Sequence, residues 1–410
     1  MTSSILVQLP PEVLLSILAF CNPPTLYSLS RVSKAIHKLS LPLLYYDVDL
    51  STHNRGVIRY TDRVILTELF SDGHPQPFPN DHFKQVVAKR QSAFLATVSK
   101  HKEYALWVQR LTWTLLFGPM EDDEPGGVQN AWDVEWDRPL RFPETDTWDV
   151  LESLVNAHYL DLASLHYRMT KPEIRKCPPV LFPKATSVRL LGWMNQELAT
   201  AVVSSNPKRL EHLAIDDVQH WGQHPDGEPW YDDSPGRTLL EHIGEERFIP
   251  PGVMAGILEP LNNLCPRLTS LFLRKAGQAG STRMYGREAM DEAIYEEWAR
   301  FLRTVKGILQ YFTFEQGLEA TPGRGGPSRV RPMDTRFVKH IFPVLTSGGW
   351  NSLKRLELRG VGAWDQHEEM NAMDSATREM LTRAFVPGKV ELILKPNAEK
   401  PCPWFGGHGC

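Results

Sequence analysis

The sequence predicts an α+β or α/β repeat fold: a small N-terminal module of three helices, then strands and helices alternating along an irregular solenoid. Three observations carry this. Residues 5–40 fall into three short stretches of helical period punctuated by proline. An apolar-x-x-apolar-x-apolar pattern returns seven times between Val108 and Leu358, and helix-period segments lie between several of those returns. At 410 residues the chain exceeds the size at which one compact core stops growing, so several domains or an elongated stack are expected.

In the first stretch Val13, Leu14, Ile17, Leu18 and Phe20 recur at helical spacing, with Pro11 and Glu12 where a first turn tolerates proline and favours negative charge. Asn22 is placed to cap a second helix that opens on Pro23 and Pro24 and carries Leu26 and Leu29. Val32, Ile36 and Leu39 mark a third, which Pro42 is expected to end. So short a module cannot bury this many leucines alone, so it must lie against its own chain or present an apolar face to another protein. A secretory leader is not expected, because the first basic residue, Arg31, follows the apolar run instead of preceding it. Gln8, Pro10, Pro11 and Glu12 interrupt that run, which falls short of the roughly 18 apolar residues of a membrane span.

The order Leu9-Pro10-x-Glu12-Val13-Leu14-x-x-Ile17-Leu18, followed by Leu26-x-x-Leu29-Ser30-x-Val32-Ser33-Lys34-x-Ile36, resembles an F-box, the helical module that joins substrate receptors to the Skp-type adaptor of cullin-RING (SCF-type) ubiquitin ligases. The following LPLLYYDVDL resembles the exit segment of fungal-type F-box proteins. The resemblance assigns adaptor contacts to Leu9, Pro10, Leu14, Ile17, Leu18, Leu26, Leu29, Val32 and Ile36. Many F-boxes have Trp where Ile36 stands and Cys where Ser33 stands.

The seven returns are Val108-Leu111-Trp113, Leu162-Leu165-Tyr167, Ala185-Val188-Leu190, Leu210-Leu213-Ile215, Leu268-Leu271-Leu273, Leu309-Phe312-Phe314 and Leu353-Leu356-Leu358. Two of the steps between them, 23 and 25 residues, fall within the period of leucine-rich repeats, and others approach twice that. The lead-ins NPKRLEHLAI, CPRLTSLFL and WNSLKRLELRG resemble those of irregular leucine-rich repeats. The consensus Asn that follows such strands is missing. Alternation predicts that Leu356 and Leu358 face a stacked core while Arg355, Glu357 and Arg359 face solvent. Helices are predicted in NQELATAVVSS, DEAIYEEWARFLRTVKGIL and TRFVKHIFPVLTSG, and KVELILKP is the candidate last strand. An ordinary α/β domain remains the alternative. The expected organisation is an F-box at 5–50, a linking helical region at 51–107, a leucine-rich-repeat-like recognition domain at 108–396 and a tail at 397–410.

Segments 119–146, 216–237 and 315–332, rich in proline, glycine and charge, are predicted as loops. Trp132, Trp136, Trp221, Trp230 and Tyr231 in the first two are candidate anchors for a target protein, or covers for the ends of the solenoid.

A formal net charge of −4 and the lack of a basic stripe make nucleic acid an unexpected partner. Five cysteines without C-x-x-C spacing point to a reducing compartment, cytoplasmic or nuclear. The chain contains no G-x-S-x-G, Walker or H-E-x-x-H motif, and GRGGPS at 323–328 and HEEMN at 367–371 are near misses. Cys402, His408 and Cys410 offer three soft ligands without a fourth, so no metal or other cofactor is expected. The expected function is recognition without catalysis: an adaptor held by the helices and an unidentified protein substrate held by the repeat domain. The competing expectation is a repeat scaffold whose F-box-like helices merely cap the solenoid.

Overall fold

The computed structural model describes residues 9–51, 80–115, 144–164, 177–194, 196–220, 252–275, 286–316, 333–361, 375–385 and 389–395. Its first elements are α1 (Pro11–Ala19), α2 (Pro23–Ser30) and α3 (Lys34–Leu44). Asn22 caps α2 as expected, its Oδ1 accepting from the Thr25 amide at 2.9 Å, and Ser33 caps α3 by accepting from Ile36 N at 3.2 Å. Three expectations are corrected. Phe20 is the C-cap of α1 and 92% exposed, Val32 lies in the turn before α3, and Pro42 sits inside α3 instead of ending it.

A single sheet follows, built on β1 (Asp47–Leu50), β2 (Arg110–Leu115), β3 (Tyr159–Ser164), β4 (Ser187–Trp193), β5 (His212–His220), β7 (Ser270–Lys275), β8 (Tyr311–Gln316), β9 (Arg355–Arg359) and β10 (Glu391–Lys395). These strands are parallel and lie in the order in which the chain makes them, while the two-residue β6 (Gly252–Val253) pairs antiparallel with β5. Described crossovers carry helices α4 (Asn80–Lys100), α5 (Lys102–Ala105), α6 (Glu144–Ser153), α7 (Gln196–Val203), α8 (Gly286–Val305), α9 (Met333–Arg336), a π-helical stretch Phe337–Ile341, α10 (Phe342–Thr346) and α11 (Ser375–Ala384).

Register turns the sequence pattern into a ladder. Val48, Leu111, Leu160, Val188, Leu213, Leu271, Phe312, Leu356 and Leu392 are aligned across the sheet, and so are Leu50, Trp113, Leu162, Leu190, Ile215, Leu273, Phe314, Leu358 and Leu394. All but the edge residues Leu50, Leu392 and Leu394 are buried. The second return is therefore Ala157-Leu160-Leu162 instead of Leu162-Leu165-Tyr167, five residues earlier than the sequence reading placed it. Two overlapping apolar triplets compete there, and only the first aligns with Leu111 and Val188.

The backbone repeats as well. The carbonyls of Tyr46, Gln109, His158, Thr186, Glu211, Thr269 and Gln310, each just before a strand, accept two successive amides from the start of the next strand, at 2.8–3.2 Å. Each turn thereby satisfies the polar groups that a tight lead-in would otherwise leave unpaired. Aromatic rings pack together in the core: Phe314 meets Tyr295 and Trp298 edge-on and lies 5.3 Å from Phe337, and Trp350 stacks on Phe312.

Candidate functional site

Two surfaces are built by these elements. The first is the helical module. Leu18, Leu26 and Ile36 form its own small core, flanked by Cys21, Leu29, Leu39, Leu43 and Leu44, and this core is separate from the one beneath the sheet. The nine residues assigned to adaptor contact therefore divide. Leu14, Leu18, Leu26 and Ile36 are buried, Leu9 and Leu29 are half-buried, and Pro10, Ile17 and Val32 are exposed. Val13, Ile17 and Phe20, at helical spacing on and just after α1, make an exposed apolar stripe, with Tyr27 of α2 also exposed.

The module is tied to the sheet where α3 runs into β1. Tyr45 meets Phe94, Tyr104 and Trp107 at centroid distances of 6.2, 5.0 and 6.3 Å, and Trp107 stacks on Tyr104. Gln91 of α4 is buried and donates through Nε2 to the carbonyls of Leu50 and Thr114, at 2.8 and 2.7 Å, which joins the ends of β1 and β2.

The second surface is the sheet face opposite the apolar ladder. A chain of ion pairs crosses it from β3 to β10. Arg189 bridges Asp161 and Asp216 at 3.5 and 2.7 Å, and Arg274 bridges Asp216 and Glu315 at 3.3 Å each. Arg359 bridges Glu315 and Glu357 at 3.1 and 2.9 Å, and Arg355 and Lys395 each reach Glu357 at 2.8 Å. The four carboxylates have only 3% of their side-chain surface exposed, whereas Arg189 and Arg355 keep 41%. The carboxylates thus lie at the base with Arg274 and Arg359 largely buried among them, and Arg189 and Arg355 reach the surface.

Electrostatics follow from that layering. Burial works against the Glu357 anion, but hydrogen bonds from Arg359, Lys395 and Arg355 outweigh it and pull its pKa down to about 2. Burial likewise disfavours the Arg189 cation, and Asp216 and Asp161 more than offset it, raising its pKa. Elsewhere burial pushes the Cys177 and Cys265 thiols up, to about 12 and about 11, which leaves them poor nucleophiles.

The alternation reading is corrected here: Leu356 and Leu358 are inside as expected, but Glu357 is buried too. Asp216 and Glu315 were placed in loops and belong to β5 and β8; Glu144–Asp146, placed in the first loop, begin α6. The ladder itself was missed. Its only sequence trace is a charge at alternate strand positions, which solvated strands show just as often. Trp132, Trp136, Trp221, Trp230, Tyr231, Cys402, His408 and Cys410 lie outside the described residues, as do the near-miss motifs at 323–328 and 367–371. No helix among the described residues is long and apolar enough to cross a membrane.

With this geometry in hand, comparison with protein families places an F-box-like domain at residues 6–51. The match spans α1, α2, α3 and β1 and ends just after that first strand of the sheet. None of the curated proteins compared with the chain matches it.

Proposed function

We propose that this chain is the substrate receptor of an SCF-type cullin-RING ubiquitin ligase, its F-box-like helices holding a Skp-type adaptor and its sheet domain holding a target protein. The observation that carries this is the F-box-like domain at residues 6–51, with a core of its own and the apolar stripe Val13, Ile17 and Phe20 turned to solvent. A module that served only as a cap would hide that stripe. On this reading the chain catalyses nothing; it contributes proximity and orientation between the ligase and its target. We read the sheet domain as an irregular leucine-rich-repeat-like solenoid, of a kind found after fungal-type F-boxes. The sequential parallel strands, the aligned apolar ladder and the repeated double-acceptor carbonyls support that reading. Work in the cytoplasm or nucleus fits the unreactive Cys177 and Cys265 thiols.

The test is a pull-down of the full chain with a Skp-type adaptor, beside the variant Pro10→Ala, Ile17→Ala, Val32→Ala. These three residues are exposed, so the variant should fold. Loss of two exposed apolar side chains and a proline should weaken binding at least a hundredfold if each contact contributes about 1–2 kcal/mol. A folded parent chain that fails to bind any Skp-type adaptor overturns the ligase reading and leaves the scaffold, with its helices as a cap.

A further inference from the structure

We propose that the strand-entry edge of the sheet domain, centred on the turns before β4, β5 and β7, is a docking surface for the anionic headgroups of a phospholipid membrane. The inference goes beyond the receptor reading and does not rest on it.

Backbone geometry defines this edge. The carbonyls of His158, Thr186, Glu211, Thr269 and Gln310 each accept amides from the entry of the next strand, so the turns stack in one row at the strand spacing of about 4.8 Å. Lys184, Arg209 and Arg267 each stand three residues before the first paired residue of β4, β5 and β7, which are Ser187, His212 and Ser270. All three are exposed, and so is Lys208.

The charge here is one-sided. In the five residues ahead of each of β3, β4, β5, β7, β8 and β9 stand Lys184, Lys208, Arg209, Arg267, Lys306 and Lys354, against one carboxylate, Glu211. In a chain of net charge −4 that is a local reversal of sign. Glu211 pairs with Arg267, which keeps 61% of its side chain exposed. Lys306 donates to Ser347 and Lys354 lies over the Tyr311 ring. Lys184 donates to the neutral Oδ1 of Asn156 at 2.7 Å, so its charge is not cancelled. Among the described residues Lys208 and Arg209 have no ion-pair partner. The middle of the edge therefore presents Lys184, Lys208 and Arg209 as uncancelled cations on neighbouring turns.

Apolar side chains accompany them. Val180, four residues before Lys184, is 50% exposed, and Leu264, three before Arg267, is 43% exposed. Cations beside exposed aliphatic chains are what an anionic membrane surface rewards. The cations meet phosphate and carboxylate groups, and the aliphatic chains enter the boundary between headgroups and hydrocarbon. A nucleic acid, the rival polyanion, has less to gain. Single strands want rings to stack on their bases, and no exposed Phe, Tyr or Trp stands in the five residues before β4, β5 or β7. A duplex rewards many phosphate contacts, and three uncancelled cations are few.

The experiment is co-sedimentation of the full chain with vesicles of phosphatidylcholine alone or with about one-third phosphatidylserine, where partitioning onto the anionic vesicles should be at least about tenfold stronger. Added salt should weaken it. Lys208→Gln with Arg209→Gln, both exposed and free of ion pairs, should keep the fold and lower partitioning about tenfold or more. Lys38→Gln with Arg90→Gln, an equal loss of charge from exposed sites on α3 and α4, should bind within about twofold of the parent, which separates a local surface from net charge. Val180→Ser with Leu264→Ser should weaken binding several-fold, an effect that adhesion by charge alone lacks. Equal partitioning onto the two kinds of vesicle overturns the inference, and so does a folded Lys208→Gln, Arg209→Gln variant that binds as the parent does. Tighter binding of a single-stranded RNA than of the anionic vesicles, at equal phosphate concentration, overturns it in favour of nucleic acid. The adaptor pull-down on the same preparation reports the receptor reading separately, so the two fail independently.

Discussion

Glu357 lies beneath Arg355, Arg359 and Lys395, and its replacement tests how much of the sheet's charged face is structural. Glu357→Gln would leave three cations gathered around a neutral amide and should cost on the order of 3 kcal/mol, read as a lower urea midpoint. The same residue sets an acid limb. Its folded pKa is about 2 against an ordinary 4.5, so its contribution is fully present above about 4.5. As pH falls from about 4.5 to about 2 the unfolded chain takes up the proton first and that contribution is lost. A urea-midpoint profile of Glu357→Gln should therefore be flatter than the parent's between those values. At the other end of the chain, Asn22→Ala removes the acceptor for Thr25 N and should cost the helical module about 1 kcal/mol, measurable as faster amide exchange in α2.

Among the elements, β8 carries the centre of an aromatic cluster. Phe314→Ala would remove the ring shared by Tyr295, Trp298 and Phe337 and should cost about 3–5 kcal/mol in a urea titration. The strand was readable from Leu309-Phe312-Phe314, because the lead-in and the alternation are local. Strand β3 was not, because Ala157-Leu160-Leu162 and Leu162-Leu165-Tyr167 both satisfy the local pattern and only pairing with β2 and β4 selects the first. Pro42 misled for a related reason: a missing amide weakens a helix without ending it when the neighbouring turns are held by packing, as Leu39, Leu43 and Leu44 are against the module's core. Val32 and Phe20 fit helical spacing yet lie beyond the helix ends, where spacing no longer dictates burial.

For the whole molecule, the relation between the helical module and the sheet decides what the proposed receptor could do, since its target would have to be held at a fixed place relative to the ligase. The Tyr45 cluster with Phe94, Tyr104 and Trp107 joins the two. Tyr45→Ala should leave adaptor binding within about twofold of the parent. It should increase amide exchange at the α3–β1 junction, and in a reconstituted ligase it should slow target ubiquitination more than adaptor binding. Equal exchange in the two proteins would remove this role.

What the sequence determined by itself is what depends on neighbours along the chain. The Asn22 cap, the proline-led starts of α1 and α2, and most of the apolar strand triplets are set by dihedral preference and period alone, as is the F-box-like order of apolar residues. What only the tertiary structure decided is what depends on partners far along the chain. Leu18 is hidden and Ile17 exposed, although both suit a helix face, because Leu18 closes with Leu26 and Ile36 from the other two helices. Asp161, Arg189, Asp216, Arg274, Glu315, Glu357 and Arg359 become one ladder only when parallel register sets them side by side, and carboxylates so spaced are buried because guanidiniums from neighbouring strands compensate their lost hydration.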